Sequence, residues 1–150
     1  MHEDCIPRIQ NLDSRKAKYE NPTLRESAIP PDCKIYRAVS RVDKRDATQP
    51  DFTCFTDKGL SVLIEGSNLP PLDLASVFKQ WKERGYLGIW EMPMTLFPQP
   101  AYLLRHDPFP FESGGKVHQQ DANHAQIFCH KPQSKGKEVA RSGKWAIAPG

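Results

Sequence analysis

Proline limits this chain more than any other residue. Fourteen of the 150 residues are proline, nearly twice the usual share of about 5%. Each one fixes its own φ and removes a backbone donor. They recur from Pro7 to Pro149, which favours turns and extended connections and argues against a helical bundle. The apolar set makes up 38% and charged residues 26%, the composition of a globular chain about one domain long. The longest apolar stretches run four or five residues, as in Leu60–Ile64, far short of the roughly 18 that a membrane helix needs. The start, Met1-His2-Glu3-Asp4-Cys5, is acidic and lacks the apolar region of a secretory leader. A cytoplasmic protein with no membrane association is the expectation.

Residues 1–31 are polar, hold four prolines and show no sustained periodicity. They read as an arm ordered only if docked, with a short helix at most over Asp13–Tyr19. Residues 32–150 then form a single domain. In Lys34–Val39, Ile35, Arg37 and Val39 share one face by the period of two. Phe52–Phe55 and Leu60–Ile64 read as strands that pair across Asp57-Lys58-Gly59. The one clear amphipathic helix covers residues 73–84. Asp73 is placed to cap it, Leu74, Val77, Phe78 and Trp81 form its apolar stripe, and Gly85 suits a left-handed C′ position. Residues 91–114 interleave prolines with Phe97, Tyr102, Phe109 and Phe111, as in a long connection pinned by aromatics. Further strands are expected at Tyr86–Trp90, Ala101–Leu104, Ala125–Cys129 and Lys144–Ile147, with one helical turn at Glu138–Arg141. The fold class is therefore α+β, compact, with a mainly antiparallel sheet and long Pro-rich connections.

Charge is distributed unevenly. Residues 1–114 hold 15 basic and 16 acidic groups, whereas residues 115–150 hold six basic and two acidic. A basic segment over 131–144 can engage phosphates or an acidic protein surface; a solvated face that keeps the chain soluble is the alternative. The cysteines Cys5, Cys33, Cys54 and Cys129 form no C-x-x-C pair, so no zinc-ribbon or redox motif is present. Core packing is the expected role of Cys54 and Cys129.

His118, His124 and His130 are spaced by six. His124 and His130 would lie about 20 Å apart on one strand at roughly 3.3 Å per residue, too far to share a metal. No H-x-H or H-E-x-x-H pattern occurs, and no metal or other cofactor is expected. Either histidine, with Lys131, has the chemistry for metal-free RNA cleavage: one base, one acid and a cation for the phosphorane. Tyr36-Arg37 followed by Phe52-Thr53-Cys54-Phe55-Thr56 resembles ADP-ribosyltransferase domains, in which such an arginine would bind NAD phosphate. Cys54 stands where that pattern expects serine, and a third-motif glutamate is absent. The alternative for Arg37 is a structural pairing with Asp51 or Asp57. Tyr36-Arg37, Phe55-Thr56, Leu60-Ser61-Val62, His124-Ala125 and Trp145 with Pro149 together resemble short, uncharacterised bacterial proteins; the resemblance implies a cytoplasmic bacterial protein and carries no activity with it.

The leading expectation is a small non-catalytic domain that binds an anionic partner, nucleic acid first and an acidic protein surface second. Lys131, Lys135, Lys137, Arg141 and Lys144 would meet phosphates, with Trp145 stacking. The alternative is a toxin-type enzyme acting on RNA or NAD through Arg37, His124 and His130. Convergence of Arg37 with a histidine in one pocket would favour the enzyme; a flat basic face would favour the binder.

Overall fold

Alternating apolar residues build the centre of the molecule. The computed structural model describes residues 5–19 and 29–150. Its strands are β1 (Lys34–Val39), β2 (Gly59–Glu65), β3 (Gly88–Pro93), β4 (Leu103–His106), β5 (Phe111–Ser113), β6 (Lys116–His118), β7 (His124–Phe128) and β8 (Lys144–Ile147). Six of them form one antiparallel sheet in the order β4-β7-β2-β1-β3-β8, and β5–β6 is a separate hairpin. Three helices join them: α1 (Ile6–Tyr19), α2 (Leu74–Glu83) and α3 (Gln133–Ser142). The fold is α+β with a mainly antiparallel sheet. None of the helices is long and apolar enough to cross a membrane among the described residues.

One sheet face carries Ile35, Val39, Leu60, Val62, Ile64, Met92, Ala125 and Ile127, all buried. Val139 and Ala140 of α3 and Cys54 and Phe55 close over them. The sequence suggests a strand at Phe52–Phe55, but these residues form a 3-10 turn. The cause is local: the Asp51 carboxylate accepts from the Thr53 backbone N–H at 2.9 Å and its hydroxyl at 2.5 Å, which caps a helical turn. The expected hairpin with Leu60–Ile64 is therefore absent, and β2 pairs with β1 and β7 instead. Helix α3 is longer than the single turn expected at Glu138–Arg141. Gly136 lets it approach, since a Cβ there would sit 2.7 Å from the Phe52 carbonyl oxygen.

The other face is covered in two places. Helix α2 begins at Asp73, whose carboxylate accepts from the Ser76 N–H at 3.2 Å, and is followed by Gly85 at φ +94°. Its Leu74, Val77, Phe78 and Trp81 pack on Tyr36, Leu63 and Ile89, yet no residue of α2 is fully buried. Of the arm read over 1–31, residues 1–4 and 20–28 lie outside the described residues, while Ile6–Tyr19 is a docked helix. Cys5, Ile9 and Leu12 pack with Leu103, Phe109, Phe128 and Cys129.

Candidate functional site

Between α1 and α2 the second sheet face stays uncovered, which leaves a groove of about 1160 Å³. Its floor follows from register. Ser61 faces Gln126 and Leu63 faces His124 across β2 and β7, so two strands place three polar side chains side by side. Arg15 of α1 lines one wall, Trp81, Arg84 and Tyr86 lie on the α2 side, and Phe111 and His118 come from the hairpin. Its charged lining is Arg15, Arg37 and Arg84 with Asp121; Arg15 and Arg37 are paired with Asp107 and Asp57. The hairpin is fastened to α1, because Lys18 and the Tyr19 hydroxyl both donate to the Glu112 carboxylate. Those two bonds hold Glu112 below the ordinary carboxylate range.

Asp107 organises the end of the groove nearest α1, although its own side chain is fully buried. Arg15 grips it in a two-pronged contact, Nη1 to Oδ1 at 2.7 Å and Nη2 to Oδ2 at 3.0 Å. Gln126 donates to the same Oδ2 at 2.7 Å. Arg15 is itself satisfied, donating to the Phe109 carbonyl at 3.2 Å and to Asn11 at 2.9 Å. A buried carboxylate needs this completeness, since an unpaired one would be very costly.

His124 completes the set. Its Nδ1 lies 2.7 Å from the Asp107 carbonyl oxygen and 3.5 Å from the Asp107 carboxylate. A carbonyl only accepts, so Nδ1 carries the hydrogen and the neutral ring keeps its lone pair on Nε2. Burial lowers the pKa of this imidazole, outweighing the opposing pull of Asp107, which favours the neutral ring at pH 7. No buried side-chain nitrogen or oxygen among the described residues lacks a partner, and no hydrogen bond occupies Nε2. That lone pair therefore opens into the groove that His124 lines.

Arg37 reaches the same groove, but its guanidinium is engaged. It donates to the Cys54 carbonyl at 3.0 Å, the Ser61 carbonyl at 2.8 Å and Asp57 at 3.3 Å. The paired β1–β2 register ends at Tyr36↔Leu63, and Arg37 takes up a β2 carbonyl just beyond that point. His130 follows Cys129, whose φ of +90° breaks the strand alternation, and it is exposed outside the groove. His118 is exposed, stacks on Phe111 at 5.0 Å and reaches the Ser113 carbonyl at 3.3 Å. Both Arg37 and His124 border the groove, but the strand period sets the Arg37 side chain with Ile35 and Val39 on the opposite sheet face, toward Cys54 and Asp57, and His130 stands apart as well.

The basic segment over 131–144 is not the continuous cationic face that its sequence suggests. Lys131 is buried, and its ammonium donates to the carbonyls of Asp57, Ile127 and Cys129 at 2.7, 2.6 and 2.9 Å. Lys135 donates to the Leu96 carbonyl at 2.7 Å and pairs with Glu138 at 2.6 Å. Both cations hold the fold together instead of facing a polymer. Trp145 packs edge-on against Trp90 and donates its indole N–H to the Thr48 carbonyl at 2.8 Å. Lys137, Arg141 and Lys144 remain exposed.

Arg15, Asp107 and Gln126 go unmarked in a sequence reading. Their one legible trace is a charged residue, Asp107, amid the apolar and proline-rich run around Phe109. No family model matches the chain, and neither a curated protein nor a solved structure with significant similarity was found.

Proposed function

We propose that the groove binds single-stranded RNA and that His124 is its proton acceptor toward a ribose 2′-hydroxyl. The observation that carries this reading is the open Nε2 of a neutral His124, held by Asp107 in a groove that Arg84 also lines. Arg84 supplies a cation for phosphate, and the Trp81 and Tyr86 rings, 6.1 Å apart, offer surfaces for bases. In the reaction, Nε2 takes the 2′-hydroxyl proton and that oxygen attacks the adjacent phosphorus. The 5′-oxygen then leaves with a proton from His118, the second imidazole of the groove. The NAD reading has less support, because the Arg37 guanidinium is held by two carbonyls and Asp57.

A second reading rests on the exposed Lys137 and Arg141. These are four residues apart on α3 and so share a face, whereas Lys144 of β8 pairs with Glu91 at 3.4 Å. This patch lies across the sheet from the groove and suits an anionic partner without catalysis, whether nucleic acid or an acidic protein surface.

The test is incubation of the full chain with mixed-sequence single-stranded RNA in EDTA. The expected products are 2′,3′-cyclic phosphate ends, lost by roughly 10²–10⁴-fold in His124→Ala. Intact RNA, bound with an affinity that drops in a Lys137→Ala, Arg141→Ala variant, would move the function to the α3 face.

A further inference from the structure

Two cysteines 124 residues apart meet inside the molecule. Cys5 and Cys129 are both buried, and their Sγ atoms lie 3.0 Å apart. Cys5 immediately precedes α1; Cys129 immediately follows β7 at a φ of +90°, a conformation non-glycine residues rarely adopt. The remaining cysteines are placed differently. Cys33 faces the Met94 sulfur at 3.6 Å, and Cys54 faces the Arg41 carbonyl at 3.6 Å. Only one pair of thiols is therefore poised for each other among the described residues. The bond length of a disulfide is about 2.05 Å, so closure needs a movement of about 1 Å at the sulfurs.

We propose that Cys5 and Cys129 form a thiol–disulfide exchange site, which takes a low-molecular-weight disulfide as its reactant and fastens α1 to the sheet. The step balances. A Cys5 thiolate, exposed when the first turn of α1 opens, attacks one sulfur of the small disulfide and releases one thiolate. Cys129 then gives up its proton and attacks the Cys5 sulfur of the mixed disulfide, releasing the second. The two protein thiols are oxidised by two electrons, and one small disulfide becomes two thiols. Opening at a helix terminus is among the least costly local motions. The site does not depend on what the groove binds, although α1 also carries the Arg15 that holds Asp107.

The experiment uses the full chain with oxidised glutathione in excess, followed by thiol titration under denaturing conditions, peptide mapping and thermal melting. The expected result is the loss of two of the four thiols, a Cys5–Cys129 linked peptide and a melting midpoint raised by about 4–16 °C. Dithiothreitol should reverse all three. Cys5→Ser, which leaves the strained Cys129 position intact, should fold, gain no such rise and form no intramolecular link. Four surviving thiols, a persistent glutathione adduct, a link through Cys33 or Cys54, or closure with no rise in melting would each overturn the proposal.

Discussion

The two faces of the central sheet are made by the same strands, and they differ in what sits at their middle. On one face Ile35, Val62, Ile64, Met92 and Ile127 are buried beneath α3 and the 3-10 turn at Phe52–Phe55. On the other, Ser61, His124 and Gln126 interrupt the apolar pattern between two helices that each pack on their own side. A dry face needs only apolar contact, whereas the polar floor needs partners for every buried group. Asp107 is where that requirement is met, through Arg15 and Gln126. The groove results from the placement of polar residues on one face of the sheet.

The comparison breaks most severely at Arg15. Arg15→Met keeps the alkyl stem but strands a carboxylate with no exposure. It should cost about 3–5 kcal/mol in urea denaturation, the range for breaking a buried pair by removing one partner. A loss near zero would mean that water reaches Asp107 and that the groove end is open.

Packing depth separates the faces next. Phe55 is fully buried, and Phe55→Ala should cost about 3–5 kcal/mol. Trp81, despite its size, lies on a helix with no fully buried residue, so Trp81→Ala should cost clearly less, about 1–2 kcal/mol by area lost. Equal losses would show that α2 is as firmly seated as α3. Between these falls Arg37→Ala, which deprives the Cys54 and Ser61 carbonyls of their donor. It should cost about 1–3 kcal/mol, and a protein that melts like the parent would argue that Arg37 serves a ligand instead.

The strands at Lys34–Val39, Leu60–Ile64 and Ala125–Cys129 were legible because alternation is a property of each strand by itself. Their register was not, and register is what sets Ser61 opposite Gln126. The Arg15–Asp107 pair joins positions 92 residues apart, one from a polar segment without an apolar stripe and one from a proline-rich connection, so no local pattern announces it. Lys131 misleads for the same reason. Its charge reads as surface, yet the reversal at Cys129 folds its ammonium onto carbonyls at the end of β7 and the turn before β2. Phe52–Phe55 shows a local signal overriding propensity: aromatic strand formers become helical because Asp51 caps them.

The smallest expected effect is one proton at His124. Burial lowers its pKa below the ordinary 6.5, the nearby Arg15 charge adds to this, and Asp107 and Asp121 oppose it. In the unfolded chain the ring takes up its proton near 6.5; in the fold it does so only at lower pH. Between the two values the unfolded state binds more protons, so stability falls as pH drops through 6.5 and levels off below the folded value. One proton limits the slope to about 1.4 kcal/mol per pH unit. Asp51 and Asp73, held below their ordinary 3.8 by hydrogen bonds from Thr53 and Ser76, lose their contribution only at more acid pH. The interval from about 7 down to 5 therefore isolates the imidazole from those carboxylates. His124→Asn, with an amide N–H in place of Nδ1–H, should flatten the pH dependence of the urea midpoint over that interval. Parallel curves for parent and variant would mean that His124 accepts its proton as readily in the fold as in the open chain, and that the floor of the groove is solvated like the surface.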